Sequence, residues 1–170
     1  NIESLIHFAS RDAMNIEGFG ERIVEEFYNM GFLREISDYY NLYVHKEILM
    51  ELEGYGEKSI NNLLENIEIS KNNSLEKLLF GLGIRHVGKK TAKILSEYYT
   101  NIDKMINTDI EELSHIPDIG DIIAKSIFDY FNKVANDIRS IRRGSFLYDG
   151  EFIVTESRPY IYFDAESRKD

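Results

Sequence analysis

Cysteine and tryptophan are absent from this chain of 170 residues, and only two prolines occur. Without cysteine, these residues can build no disulfide framework, no thiolate nucleophile and no cysteine-ligated zinc site. The four histidines do not replace them, because His7, His45 and His115 share no metal-ligand spacing with one another or with carboxylates. They read as core or surface residues. No apolar run approaches the roughly 18–20 residues of a membrane span, and no charged-then-apolar leader opens the chain, so a soluble, intracellular protein is expected. Positive charge is also short: 20 Lys and Arg face 30 Asp and Glu, a net charge of −10. That sign repels nucleic acid and anionic membranes on average, so a polyanionic partner needs a local patch. Asn1 and Asp170 read as cut ends, and a piece of a longer protein is expected.

What is present is 43% hydrophobic residues, enough to bury one sizeable core or two small ones. Periodicity and turn signals predict a mostly helical body up to about Asn136. The runs Glu151–Thr155 and Tyr160–Phe163 are β-branched and aromatic and predict two short strands around Pro159. Arg139, Arg142 and Arg143 ahead of Gly144 read as a linker. The expected division is a domain over 1–140 and a linker with a short tail over 141–170.

The helical body repeats. Gly20, Gly56, Gly88 and Gly120 stand 36, 32 and 32 residues apart. Four residues before each is an aliphatic side chain: Ile16, Leu52, Ile84 and Ile116. Directly before each is Phe19, Tyr55, Val87 or Ile119. Three, four and seven residues after them come Ile23, Val24 and Phe27; Ser59, Ile60 and Leu63; Thr91, Ala92 and Leu95; and Ile123, Ala124 and Ile127. That spacing is one face of a helix starting just after the glycine. Each copy, around 14–28, 50–64, 82–96 and 114–128, is therefore a short helix, a tight hairpin and a second helix. The hairpin glycine, Gly56 for example, is expected at positive φ. Backbone N–H groups left over at the start of the second helix, with the positive end of its dipole, suit a phosphate. One such turn reads as an ordinary glycine cap; four in register point to anion binding, with a purely structural helical array as the alternative.

Met14–Gly20, Leu52–Ser59 and above all Leu82-Gly83-Ile84-Arg85-His86-Val87-Gly88, with the opening Ile6–Met14, resemble the helix-hairpin-helix domain of bacterial NAD-dependent DNA ligases. The likeness covers about residues 5–135. It implies an all-α fold of four tandem helix-hairpin-helix motifs that binds nicked duplex DNA without reading its sequence, and a position just after a four-cysteine zinc module. For the parent enzyme it implies nick sealing in DNA replication and repair in the bacterial cytoplasm, at the nucleoid, with NAD, magnesium and zinc as cofactors. The adenylation motif Lys-x-Asp-Gly and a Walker-type loop are both missing here, so this stretch is expected to hold no cofactor, no catalytic residue and no small-molecule substrate, and to bind DNA without joining it. Asp149–Thr155 and Ser167–Asp170 resemble the start of a BRCT domain, although Glu156 stands where that family has glycine. Other tandem-hairpin repair proteins, such as a junction-binding or excision-nuclease subunit, are an alternative. A glycosylase of the helix-hairpin-helix class is another, with Asp38 or Asp137 as its catalytic carboxylate.

Charge is uneven along the chain. Between Lys71 and Thr100, Lys71, Lys77, Arg85, Lys89, Lys90 and Lys93 face only Glu76 and Glu97, a local charge of +4 that leaves −14 elsewhere. Lys89 and Lys90 fall on the first turn after Gly88, where a cation gains nothing from the helix dipole; they read as phosphate ligands, or else as a solvated helix face. The candidate DNA-binding residues are Gly18, Gly20, Arg22, Gly54, Gly56, Lys58, Arg85, His86, Gly88, Lys89, Lys90, Lys93, Gly120 and Lys125. His86 either donates to phosphate or fills its turn. Asp118, where the family more often has glycine, puts a carboxylate beside the fourth hairpin and makes it the weakest candidate. Tyr39, Tyr40, Tyr98 and Tyr99 are expected to pack rather than to stack on bases.

Overall fold

The protein, here a computed structural model, is described over residues 1–143, with 134–143 as helix backbone. The two expected strands and the BRCT-like segment lie outside these residues. Within them every regular element is helical, and the chain divides into two compact units, Asn1–Asn73 and a second beginning at Ser74.

The first unit contains α1 (Ile2–Ala9), α2 (Glu21–Asn29), a 3₁₀ helix (Ile36–His45), α3 (Lys46–Met50) and α4 (Glu57–Ser70). An aromatic cluster runs through its otherwise largely aliphatic core. Phe8 stacks on Tyr39 with ring centroids 5.6 Å apart, Phe19 meets Tyr39 edge-on at 5.3 Å, and Phe27 bridges Phe19 at 6.1 Å and Tyr55 at 5.6 Å. Two buried hydroxyls are satisfied inside this core: Tyr39 donates to the Leu5 carbonyl at 2.7 Å, and Tyr40 bonds Ser70 at 2.8 Å. Burial drives both phenols well above their ordinary pKa, so each stays a neutral donor.

The second unit contains α5 (Leu75–Gly81), α6 (Lys89–Tyr99), α7 (Ile102–Ile106), α8 (Ile110–Ser114) and α9 (Asp121–Arg143). Here α5 packs on α6, and α8 and α7 pack on α9, around an aliphatic core that includes Leu79, Ala92, Leu95, Leu113, Ala124 and Ile127. Residues on either side of the division each bond within their own unit. Asn73 Nδ2 donates to the Met14 carbonyl at 2.8 Å, and Ser74 Oγ caps α5 by accepting from Lys77 N at 3.2 Å.

Helix α9 passes Asn136 and carries the Arg139–Arg143 cluster that composition reads as a linker. No glycine or proline interrupts the sequence before Gly144, so nothing local stops the helix there. The tyrosine expectation holds for Tyr39, Tyr40 and Tyr99, which are buried, whereas Tyr98 is exposed.

Candidate nucleic-acid interface

The repeat seen in the sequence is a repeat of backbone geometry. At four places the residue before the repeat glycine donates its N–H to the carbonyl three residues earlier: Phe19 to Ile16 at 3.2 Å, Tyr55 to Leu52 at 3.0 Å, Val87 to Ile84 at 2.9 Å and Ile119 to Ile116 at 3.0 Å. The glycine carbonyl then accepts the first helical bond, from Val24 at 3.1 Å, Ile60 at 3.0 Å, Ala92 at 2.9 Å and Ala124 at 2.9 Å. The residues four and seven positions past each glycine are buried in all four copies, and the third position is half-buried or exposed. Leu52 and Tyr55 of the second copy are only half-buried. The Tyr55 hydroxyl reaches out instead to Glu26 Oε1 at 2.7 Å.

The left-handed residue of each hairpin is not the repeat glycine. Gly20 and Gly88 have φ of −72° and −93°, and Gly56 at −165° is simply extended. Positive φ falls two residues earlier, at Gly18 (91°), Gly54 (90°), His86 (71°) and Asp118 (72°). The expectation for Gly56 is therefore corrected. In the first two copies glycine occupies both places, so composition alone does not separate their roles. What the repeat glycines share is room: a Cβ added at Gly20, Gly56, Gly88 or Gly120 meets nothing within 4 Å. Glycine there keeps the outer side of the helix start open to a close approach.

Two kinds of helix start stand out, apart from α3, which begins at His45 without a side-chain cap. Helices α1, α5, α7 and α8 are capped by the side chains of Asn1, Ser74, Asn101 and Asp109, each accepting an N–H of the first turn. Helices α2, α4 and α6 begin at Gly20, Gly56 and Gly88 with no side-chain cap. The N–H groups of Gly18, Gly20, Gly56, His86 and Gly88 find no backbone acceptor among the described residues. Donors left in this state at the positive end of a helix are complementary to an anion.

The candidate side chains differ from one hairpin to the next. The second residue of the following helix is Arg22, Lys58 or Lys90 in three copies and Ile122 in the fourth, where it is 71% exposed. Arg22 pairs with Glu26 at 2.5 Å and Lys125 with Asp129 at 2.7 Å, one turn along their own helices. Lys58, Lys90 and Lys93 are exposed and carry no ion pair among the described residues, while Lys89 lies 5.9 Å over the Phe80 ring. At the fourth hairpin Asp118 and Asp121 flank Gly120 and both are exposed. The third hairpin, with Arg85, His86, Gly88, Lys89, Lys90 and Lys93, concentrates cations around open amides. The fourth has carboxylates in their place.

Two further side chains act at the hairpins without a signal in the repeat. Asn66 Nδ2 of α4 donates to the Glu17 carbonyl at 2.9 Å, and Ser126 Oγ of α9 donates to the Arg85 carbonyl at 2.5 Å. They sit at different distances from their own repeat glycines, so alignment of the copies does not pair them.

Other chemistry is narrowed. Asp38 accepts from the N–H groups of Arg34 at 2.7 Å and Glu35 at 3.0 Å and closes a capping box, a structural use of that carboxylate. Asp137 lies on α9. Among the described residues no His, Asp and Glu cluster could hold a metal ion, and no helix is long and apolar enough to cross a membrane.

Residues 77–139 match the family described as the helix-hairpin-helix motif. The DNA ligase of Spiroplasma citri is 51% identical over 132 residues, covering 78% of this chain and 20% of that protein. The DNA ligase of Mycoplasma capricolum subsp. capricolum is 45% identical over 161 residues, covering 92% of this chain and 24% of that protein. That of Listeria innocua is 50% identical over 137 residues, 80% of this chain and 20% of the ligase. The chain thus spans between a fifth and a quarter of the length of these relatives.

Proposed function

We propose that this chain is the part of a bacterial NAD-dependent DNA ligase that holds the sugar-phosphate backbone of nicked duplex DNA through four tandem helix-hairpin-helix motifs. Similarity to DNA ligases over most of the chain supports the reading. The observation that carries it is the third hairpin, where uncapped amides at the start of α6 lie beside Lys89 and Lys90. Peptide N–H groups bond phosphate oxygens and cannot distinguish bases, so the grip is independent of sequence. In this reading the nick-sealing chemistry of replication and repair, and the NAD, magnesium and zinc it uses, belong to other parts of the ligase. This chain supplies binding and orientation.

Titration of a labelled nicked duplex at several salt concentrations tests the proposal. If Arg85, Lys89, Lys90 and Lys93 together neutralise about three phosphates, log K falls against log[salt] with a slope near −3, at roughly −0.9 per contact. Replacing Lys89→Glu and Lys90→Glu together flattens that slope by about 2 and weakens all duplex sequences alike. The same double change at Lys46 and Lys133 alters net charge identically and has a much smaller effect. Equal losses from the two double variants mean that overall charge alone is at work, which overturns the phosphate site at the third hairpin.

A further inference from the structure

In each unit a side chain on the second helix of one hairpin donates to a backbone carbonyl of the other hairpin. In the first, Asn66 on α4 holds the carbonyl of Glu17. In the second, Ser126 on α9 holds the carbonyl of Arg85. Glu17 and Arg85 occupy the same place in the repeat, three residues before Gly20 and Gly88. Different residue types, asparagine at one site and serine at the other, thus deliver a donor to one equivalent backbone oxygen.

That oxygen belongs to the peptide unit whose N–H is that of Gly18 or His86, the positive-φ residue of the hairpin. A peptide unit is planar and trans, so its N–H points opposite to its C=O. Drawing the carbonyl toward the supporting helix turns the N–H away from that helix. Neither N–H meets a backbone acceptor among the described residues. In the first unit the support is also steric, because a Cβ at Gly18 would stand 2.6 Å from Leu63 Cδ2 on the same helix.

We infer that Ser126 and Asn66 are positioning residues for phosphate binding: they fix the orientation of the His86 and Gly18 amides so that each donates to the DNA backbone without first reorienting. The inference rests on the nucleic-acid reading above. The hairpins around Gly56 and Gly120 act in it as the source of the supporting helix.

The full 170-residue chain is used for the test. Ser126→Ala is expected to weaken binding of a nicked duplex by about two- to tenfold, the range of one hydrogen bond. The Arg85 carbonyl is exposed and water replaces the lost donor, so the thermal midpoint stays in place. The slope against salt is unchanged, since no cation is removed. Ser126→Thr retains the hydroxyl and restores binding, and Asn66→Ala repeats the loss in the first unit. Wild-type affinity in both alanine variants overturns the inference. So does a loss of affinity matched by a fall in thermal midpoint, or failure of threonine to restore binding. If the wild-type chain itself does not bind duplex DNA, the nucleic-acid reading has failed, an outcome distinct from wild-type binding that the Ser126→Ala change leaves untouched.

Discussion

At Gly18 the backbone holds a φ of 91° and the Leu63 side chain closes over the place a Cβ would take, whereas at Gly56 the backbone is extended and the same place is empty. Gly18→Ala is therefore expected to lose about 1–2 kcal/mol to left-handed backbone strain, with about 1–3 kcal/mol more from crowding Leu63. Gly56→Ala loses about 1 kcal/mol at most, as alanine is the poorer N-cap, but its methyl occupies the approach to the α4 amides and weakens duplex binding. Urea denaturation beside a binding titration checks both, and a larger stability loss at Gly56 than at Gly18 contradicts the assignment. The sequence did contain a cue to the correct position. His86 and Asp118 replace glycine two residues before the third and fourth repeat glycines, and histidine and aspartate are among the side chains that enter the left-handed region most readily.

Helices of the first unit meet through phenols whose protons the fold retains. Tyr39 and Tyr40 have folded pKa values above the free value of 10.0, chiefly through burial, and Tyr55 is pushed up to about 12 by burial and its bond to Glu26. A raised folded pKa contributes stability that is complete below the unfolded value and is lost as pH rises. Stability is thus expected to fall above about pH 10, by up to about 1.4 kcal/mol per pH unit for each fully protected tyrosine. Tyr39→Phe removes one such proton: it lowers stability at neutral pH by about 1 kcal/mol through the lost bond to Leu5, and it flattens the alkaline decline. Urea midpoints measured across pH 8–12 check this, and an unchanged alkaline slope in Tyr39→Phe contradicts it. The existence and type of these helices were legible because the apolar offsets around each glycine recur. The supports from Asn66 and Ser126 were not, because a side chain reaching across from another helix leaves no periodicity along its own.

Over the whole molecule, charge and architecture divide together. Residues 1–73 hold fourteen carboxylates against six cations, a charge of −8, while Lys77, Arg85, Lys89, Lys90 and Lys93 all lie beyond Asn73. Composition shows the basic segment plainly, but not that a unit boundary falls inside it, just after Lys71, since Asn73 and Ser74 are fixed by side-chain hydrogen bonds and not marked by a run of linker residues. Prepared as separate fragments, the unit from Ser74 is expected to bind duplex DNA more tightly, and with the steeper salt dependence, than Asn1–Asn73. Equal affinities in fluorescence anisotropy contradict that division of labour. The glycine-started helices have a thermodynamic consequence as well. A lysine that seizes a phosphate gives up as much as about 2 kcal/mol of rotamer entropy, whereas a peptide N–H in the first turn of α6 is already immobile before DNA arrives. Contacts made by the hairpin amides should therefore enter the binding free energy mainly as enthalpy, and warming should erode the lysine contribution before it erodes theirs.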